Sequence, residues 1–211
     1  MKKKITLMIA VALLLSGCGA KTTPKTTTAP TSKPKTVDMA VADRPYVSLI
    51  PTADGHWLTL KISKIPSFVN TIEYELLYNA ADGTNEIEKG VSGTVKESEI
   101  TANVERKLLL GTESCTSGCK YAYDNGVYGG TLTLNFYTKD GQVSNYETPF
   151  ALASSAKLKK DGQIKLDTED FAIKTTGLTG SDFFVMLKNY TEVYSLFTSG
   201  KSPLAKDYPQ K

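Results

Sequence analysis

The sequence is short of the side chains that carry chemistry. In 211 residues it has a single histidine, His56, a single tryptophan, Trp57, and three cysteines. A Ser–His–Asp triad has to use His56, which stands beside the Asp54-Gly55 turn, and no Gly-x-Ser-x-Gly elbow accompanies it. One imidazole cannot form a histidine metal cluster. The acidic pairs Asp82/Glu86 and Glu169/Asp170 lack the Asp-x-Asp-x-Asp-Gly spacing that wraps calcium, and Glu73 and Glu75 read as carboxylates on the wet face of a strand. No catalytic residue, metal ligand or cofactor is expected. After the first fifteen residues no apolar run approaches the ~18–20 residues of a membrane-spanning helix. Excess positive charge is also missing. The formal charge is +3, but without Lys2, Lys3 and Lys4 the chain has 22 basic and 22 acidic side chains, so no basic face for nucleic acid is expected.

What is present begins with an address. Lys2 to Lys4 form a positive start, and Ile5 to Leu15 are an apolar run of the length found in secretory leaders. The run ends in Leu15-Ser16-Gly17-Cys18, which resembles the lipobox of bacterial lipoproteins. The resemblance implies that the Cys18 sulfur receives a diacylglyceryl group and that residues 1–17 are then removed as a signal peptide. It also implies a protein held in the cell membrane or outer membrane by lipid, exposed outside the cytoplasm. Two acyl chains at about 0.8 kcal/mol per buried CH₂ make such an anchor stable where one chain binds only reversibly. Residues 18–43 then read as a lipidated N-terminus and disordered linker. Between 21 and 37 there are seven Thr, four Lys and three Pro, and too little apolar surface to fold.

From residue 44 the pattern turns to period two. Pro45–Ile50, Trp57–Ser63, Ile72–Tyr78, 85–96, Val104–Leu110, Tyr121–Tyr123, Gly130–Thr138 and Gln142–Leu152 read as short strands separated by Asp54-Gly55, Asp82-Gly83, Asn125-Gly126 and Asp140-Gly141 turns. The expectation is an all-β fold, an antiparallel β-sandwich over 44–152, with 153–211 as a C-terminal β extension or small second β unit. Within the latter, Phe183, Leu187, Tyr190, Tyr194 and Phe197 have helical spacing, but their residue types favour a hairpin turning near Lys188–Glu192. Trp57, the Ile72–Tyr78 strand, and Tyr128 leading into Thr131–Tyr137 make the middle of the chain resemble a fibronectin type III or immunoglobulin-like module. That resemblance implies a fold and no activity.

Lipidation of Cys18 leaves Cys115 and Cys119 as an even pair, read as a structural disulfide pinning a polar loop in an oxidising compartment. Just beyond it, Tyr121, Tyr123 and Tyr128 surround a polar turn and are the candidate recognition residues. The Asn189-Tyr190-Thr191 sequon has the form of a glycosylation acceptor, but the leader points to a different export route. The functional expectation is a membrane-anchored envelope lipoprotein with a non-enzymatic binding, adhesion or structural role. Its partners would be membrane lipid through Cys18 and an envelope protein or glycan. The alternative is an envelope redox or copper-handling factor using Cys115/Cys119.

Overall fold

The computed structural model describes residues 33–168, 170–178 and 180–209. The leader, Cys18 and the tail up to residue 32 lie outside them. Along the chain run β1 (Lys35–Thr36), β2 (Tyr46–Pro51), β3 (Trp57–Ser63), β4 (Val69–Asp82), β5 (Asn85–Lys96), β6 (Asn103–Leu109), β7 (Gly111–Cys115) and β8 (Cys119–Tyr123). They continue as β9 (Gly129–Thr138), β10 (Gln142–Ser154), the helix α1 (Ser155–Asp161), β11 (Gln163–Lys165), β12 (Ala172–Lys174), β13 (Phe183–Lys188), β14 (Tyr194–Thr198) and β15 (Asp207–Tyr208). The fold is all-β. One sheet has the order β2-β3-β6, and a larger one runs β15-β14-β13-β10-β9-β4-β5. Apart from β1, every strand pair is antiparallel.

Alternation makes the two sheets a sandwich. Leu58, Leu60 and Ile62 of β3 point inward with no exposed surface, while Thr59, Lys61 and Ser63 face out half-buried. Opposite them lie Ile72 and Leu76 of β4 and Leu132, Leu134 and Phe136 of β9, in one continuous apolar cluster. Each such side chain contributes roughly 1.5–3 kcal/mol by leaving water. Gly130 is required where β9 crosses β4, because a Cβ there would run into the Leu77 carbonyl.

β10 is long enough to serve three neighbours. It pairs with β9 from Val143 to Ala151, with β13 from Phe150 to Ser154, and with β1 at Gln142 and Val143. The C-terminal residues therefore continue the large sheet. β13 is buried on both faces: Val185 and Leu187 enter the main core, while Phe184 and Met186 join Leu158, Ile164 and Ile173 in a second cluster beneath α1, β11 and β12. α1 is capped at its start by the Ser154 side chain and stopped by Gly162 in the left-handed conformation. The hairpin expected across residues 183–197 is formed by β13 and β14, turning at Asn189–Val193.

Order begins before residue 44, which corrects the linker boundary. Lys35–Thr36 lie parallel to β10, the Val37 amide donates to the Val143 carbonyl at 2.9 Å, and Met39 is buried in the core. The exposed edge of β10 gains a backbone partner in β1, and Met39 fills the core beside it.

A polar knot closes the sandwich on the β2 side. Asn189 is 1% exposed. Its amide nitrogen donates to the Val47 carbonyl at 2.6 Å, and its oxygen accepts from the Val47 amide at 3.2 Å. The side chain thus completes the ladder of β2 as a neighbouring strand would, and the sequon asparagine is sequestered. Beside it, the Tyr190 ring stacks on Phe136 at 5.9 Å, meets Tyr146 at 4.9 Å and sits under the Arg44 guanidinium at 4.9 Å, while its hydroxyl bonds to Ser144 Oγ at 2.7 Å. Burial pushes the Tyr146 phenol far above its ordinary pKa, so it remains an O–H donor to the Lys188 carbonyl.

Replacing Asn189 by leucine keeps the branching and the number of heavy atoms and leaves the Val47 N–H and C=O without partners. The expected loss is about 2–6 kcal/mol in urea unfolding, at about 1–3 kcal/mol for each of the two orphaned groups. A loss below ~0.5 kcal/mol would show that the amide is dispensable.

Candidate functional site

β7 and β8 form a two-stranded hairpin of their own, with Gly111 opposite Tyr123, Glu113 opposite Tyr121 and Cys115 opposite Cys119. Cys115 and Cys119 are joined by a disulfide, with their Cα atoms 4.2 Å apart. They end the two strands, so the bridge closes a hairpin around the three residues Thr116–Gly118, where a loop was expected. β8 is exposed along its whole length. Side chains two apart on a strand share a face, so Glu113, Cys115, Cys119, Tyr121 and Tyr123 form one strip running from the tip of the hairpin to its base.

At the base the strip meets the turn between β2 and β3. The Tyr121 and Tyr123 rings lie 4° from parallel with centroids 6.2 Å apart. His56 stacks on Tyr123 at 4.2 Å and 7°, and Trp57 meets Tyr121 edge-on at 5.5 Å and 72°. Tyr121 and Tyr123 are nevertheless 43% and 41% exposed. His56 and Trp57 are thus part of the surface to which sequence had assigned only tyrosines. Their adjacency at the start of a strand was visible, but the meeting of that strand with β8 was not. The carboxylate of Glu113 raises the pKa of the Tyr121 phenol, which stays an O–H at neutral pH.

Tyr128 belongs to a different stretch. Its hydroxyl accepts from Asn79 Nδ2 at 3.1 Å and donates to Glu86 Oε1 at 3.0 Å, across the β4–β5 hairpin. It lines a cavity of about 740 Å³ whose walls include Leu152, Lys157, Asp167 and Phe183. The three tyrosines do not form one cluster. Two contacts join the stretches. The Phe183 ring presses on Gly55, whose φ of +72° and lack of a side chain admit it. Asp124, just after Tyr123, accepts from the Tyr78 hydroxyl at 2.8 Å and from Lys89 Nζ at 2.6 Å.

The chemistry available is limited. His56 touches a ring, with no serine or cysteine nucleophile contact recorded among the described residues. Glu73 accepts from the Tyr137 hydroxyl at 2.7 Å on the outer sheet face. Among the described residues, Glu113, Cys115 and Cys119 are the grouping whose donor atoms all lie within 4.8 Å of one another, and both sulfurs are tied in the bridge. No helix of the described residues is long and apolar enough to cross a membrane.

Asp124 docks the loop that orients Tyr123. Its replacement by alanine strips a partner from Tyr78 and from Lys89, with an expected cost of about 2 kcal/mol in chemical denaturation, and an effect under ~0.5 kcal/mol would contradict that role. Set against known protein families, curated proteins and solved structures, the chain matches no family model, no curated protein and no solved structure.

Proposed function

We propose that the protein is a lipid-anchored, non-enzymatic envelope lipoprotein whose β-sandwich presents a projecting hairpin to a protein partner. The observation that carries the reading is the pair of exposed rings, Tyr121 and Tyr123, on a hairpin that contributes little to the core, backed at its base by the half-buried His56 and Trp57. Aromatic side chains bring large contact area at small entropic cost, and a hairpin closed by a disulfide has less to order on binding. His56 covers one face of Tyr123 and Trp57 meets Tyr121 edge-on, while both tyrosines remain exposed. Clustered tyrosines beside a tryptophan match the aromatic enrichment of protein–protein interfaces.

The anchor reading draws on Lys2–Lys4, the apolar run and Leu15-Ser16-Gly17-Cys18. The fold resemblance draws support from strand grouping. Leaving aside the β7–β8 hairpin, the first, second and fifth sandwich strands share one sheet, and the third, sixth and seventh share the other. That grouping resembles the immunoglobulin-like division, except that the fourth strand, β5, lies on the larger sheet. The chain departs from that pattern in placing Trp57 on the second strand and, among the described residues, in having no disulfide between the sheets.

Two experiments test the reading. The Cys18→Ala chain should accumulate as an unprocessed precursor without fatty-acid label; normal processing would defeat the anchor. For recognition, a photo-crosslinking residue at position 121 should capture a discrete envelope protein in cells. Tyr123→Ala should abolish that product and leave the melting midpoint unchanged. Titration with envelope glycans that shifts the emission of Trp57 and leaves no crosslinked protein would assign the strip to sugars instead.

A further inference from the structure

The tip of the hairpin gathers more ligand chemistry than a turn needs. Glu113 and Cys115 are two apart on β7 and project from one face, and Cys119 stands directly opposite Cys115. Glu113 Oε1 lies 3.0 Å from Cys115 Sγ. The donor atoms of all three residues fall within 4.8 Å of one another, and all three residues are exposed.

We propose that reduction of the Cys115–Cys119 bridge turns this tip into a zinc site, with two thiolates and the Glu113 carboxylate as ligands and a fourth position open. The proposal does not rest on the aromatic strip. The reductant is a dithiol. Its thiolate attacks Cys119 Sγ, since the Glu113 carboxylate repels an incoming anion at Cys115. The S–S bond breaks, Cys115 leaves as a thiolate and takes up a proton, and a mixed disulfide joins Cys119 to the reductant. The second thiol of the reductant then displaces Cys119, which also takes up a proton. Two electrons and two protons have moved to the protein, and the dithiol has become a disulfide. Zn²⁺ then displaces the two protons and binds both sulfurs.

The geometry suits this ion. Tetrahedral Zn–S bonds of about 2.3 Å place two sulfurs roughly 3.8 Å apart. Facing positions whose Cα atoms are 4.2 Å apart can supply that spacing without moving the strands. A mixed set of sulfur and carboxylate oxygen fits zinc, whereas Cu⁺ would leave the hard carboxylate unused. The three residues between the cysteines, including Gly118 at φ +154°, form a loop short enough to keep the sulfurs together when unbridged.

The test uses the full chain carrying Cys18→Ser, so that Cys115 and Cys119 are its only thiols. The chain is reduced, freed of reductant without oxygen, and titrated with Zn²⁺ against a chromophoric chelator. One equivalent should bind to the reduced chain and none to the oxidised chain. X-ray absorption should show two sulfur neighbours and at least one oxygen. Cys115→Ser should abolish binding. Glu113→Gln, a surface change that leaves the fold intact, should weaken it at least tenfold. Absence of binding to the reduced chain, equal binding to the oxidised chain, or an unchanged affinity in Glu113→Gln would each overturn the site.

Discussion

Every buried strand needs partners for its backbone, and in this fold that requirement converges on Asn189. β2 is paired with β3 on one side only. On its other side the Val47 amide and carbonyl would be orphaned without the Asn189 side chain. The same short turn delivers Tyr190 to the aromatic group of Phe136 and Tyr146, and the Lys188 carbonyl to the Tyr146 hydroxyl. Residues 142 positions apart in the chain thereby close the sandwich together. Such closure loads the fold with non-local pairings, which places it among slowly folding topologies.

Much of this architecture was legible because it rests on alternation. Leu58, Leu60 and Ile62 in β3 and Leu132, Leu134 and Phe136 in β9 alternate with polar residues, and they are the fully buried ones. The C-terminal hairpin could be read from its β-favouring residues against a helical spacing that pairs Tyr190 with Tyr194; in the fold, Tyr190 sits in the turn and Tyr194 begins β14. Two features escaped. The β1 strap is composed of Thr, Lys and Pro, and its one large apolar side chain, Met39, gives no periodicity. The β7–β8 hairpin is exposed, so there was no core face for a hydrophobic pattern to mark; Tyr121–Tyr123 read as a strand, but the cysteine segment before it read as a loop.

The surface was harder to read than the core for a related reason. Burial is written locally, in the order of residues along a strand, while a composite surface depends on which distant segments meet. Tyr121 and Tyr123 share a strand face and could be paired from their spacing. His56 and Trp57 reach them only through the packing of the β2–β3 turn, and Tyr128 is carried off to the β4–β5 hairpin by its bonds to Asn79 and Glu86. The sandwich serves as a rigid mount, and the distinctive side chains are collected at its edge.

The strap formed by β1 also has a mechanical meaning. Tension applied from the N-terminal side of the folded chain arrives first at Lys35 and Thr36, which hold β10 through two residue pairs, and next at Val37 and Met39. Beyond Pro45 the load meets β2, laced to β3 over six pairs and tied to Asn189. The weaker attachment gives way first. Its release frees the chain between Pro34 and Pro45, whose contour is at most about 36–40 Å. Load from that side therefore bears on the strap before the β2–β3 ladder, and Met39 would leave the core with it.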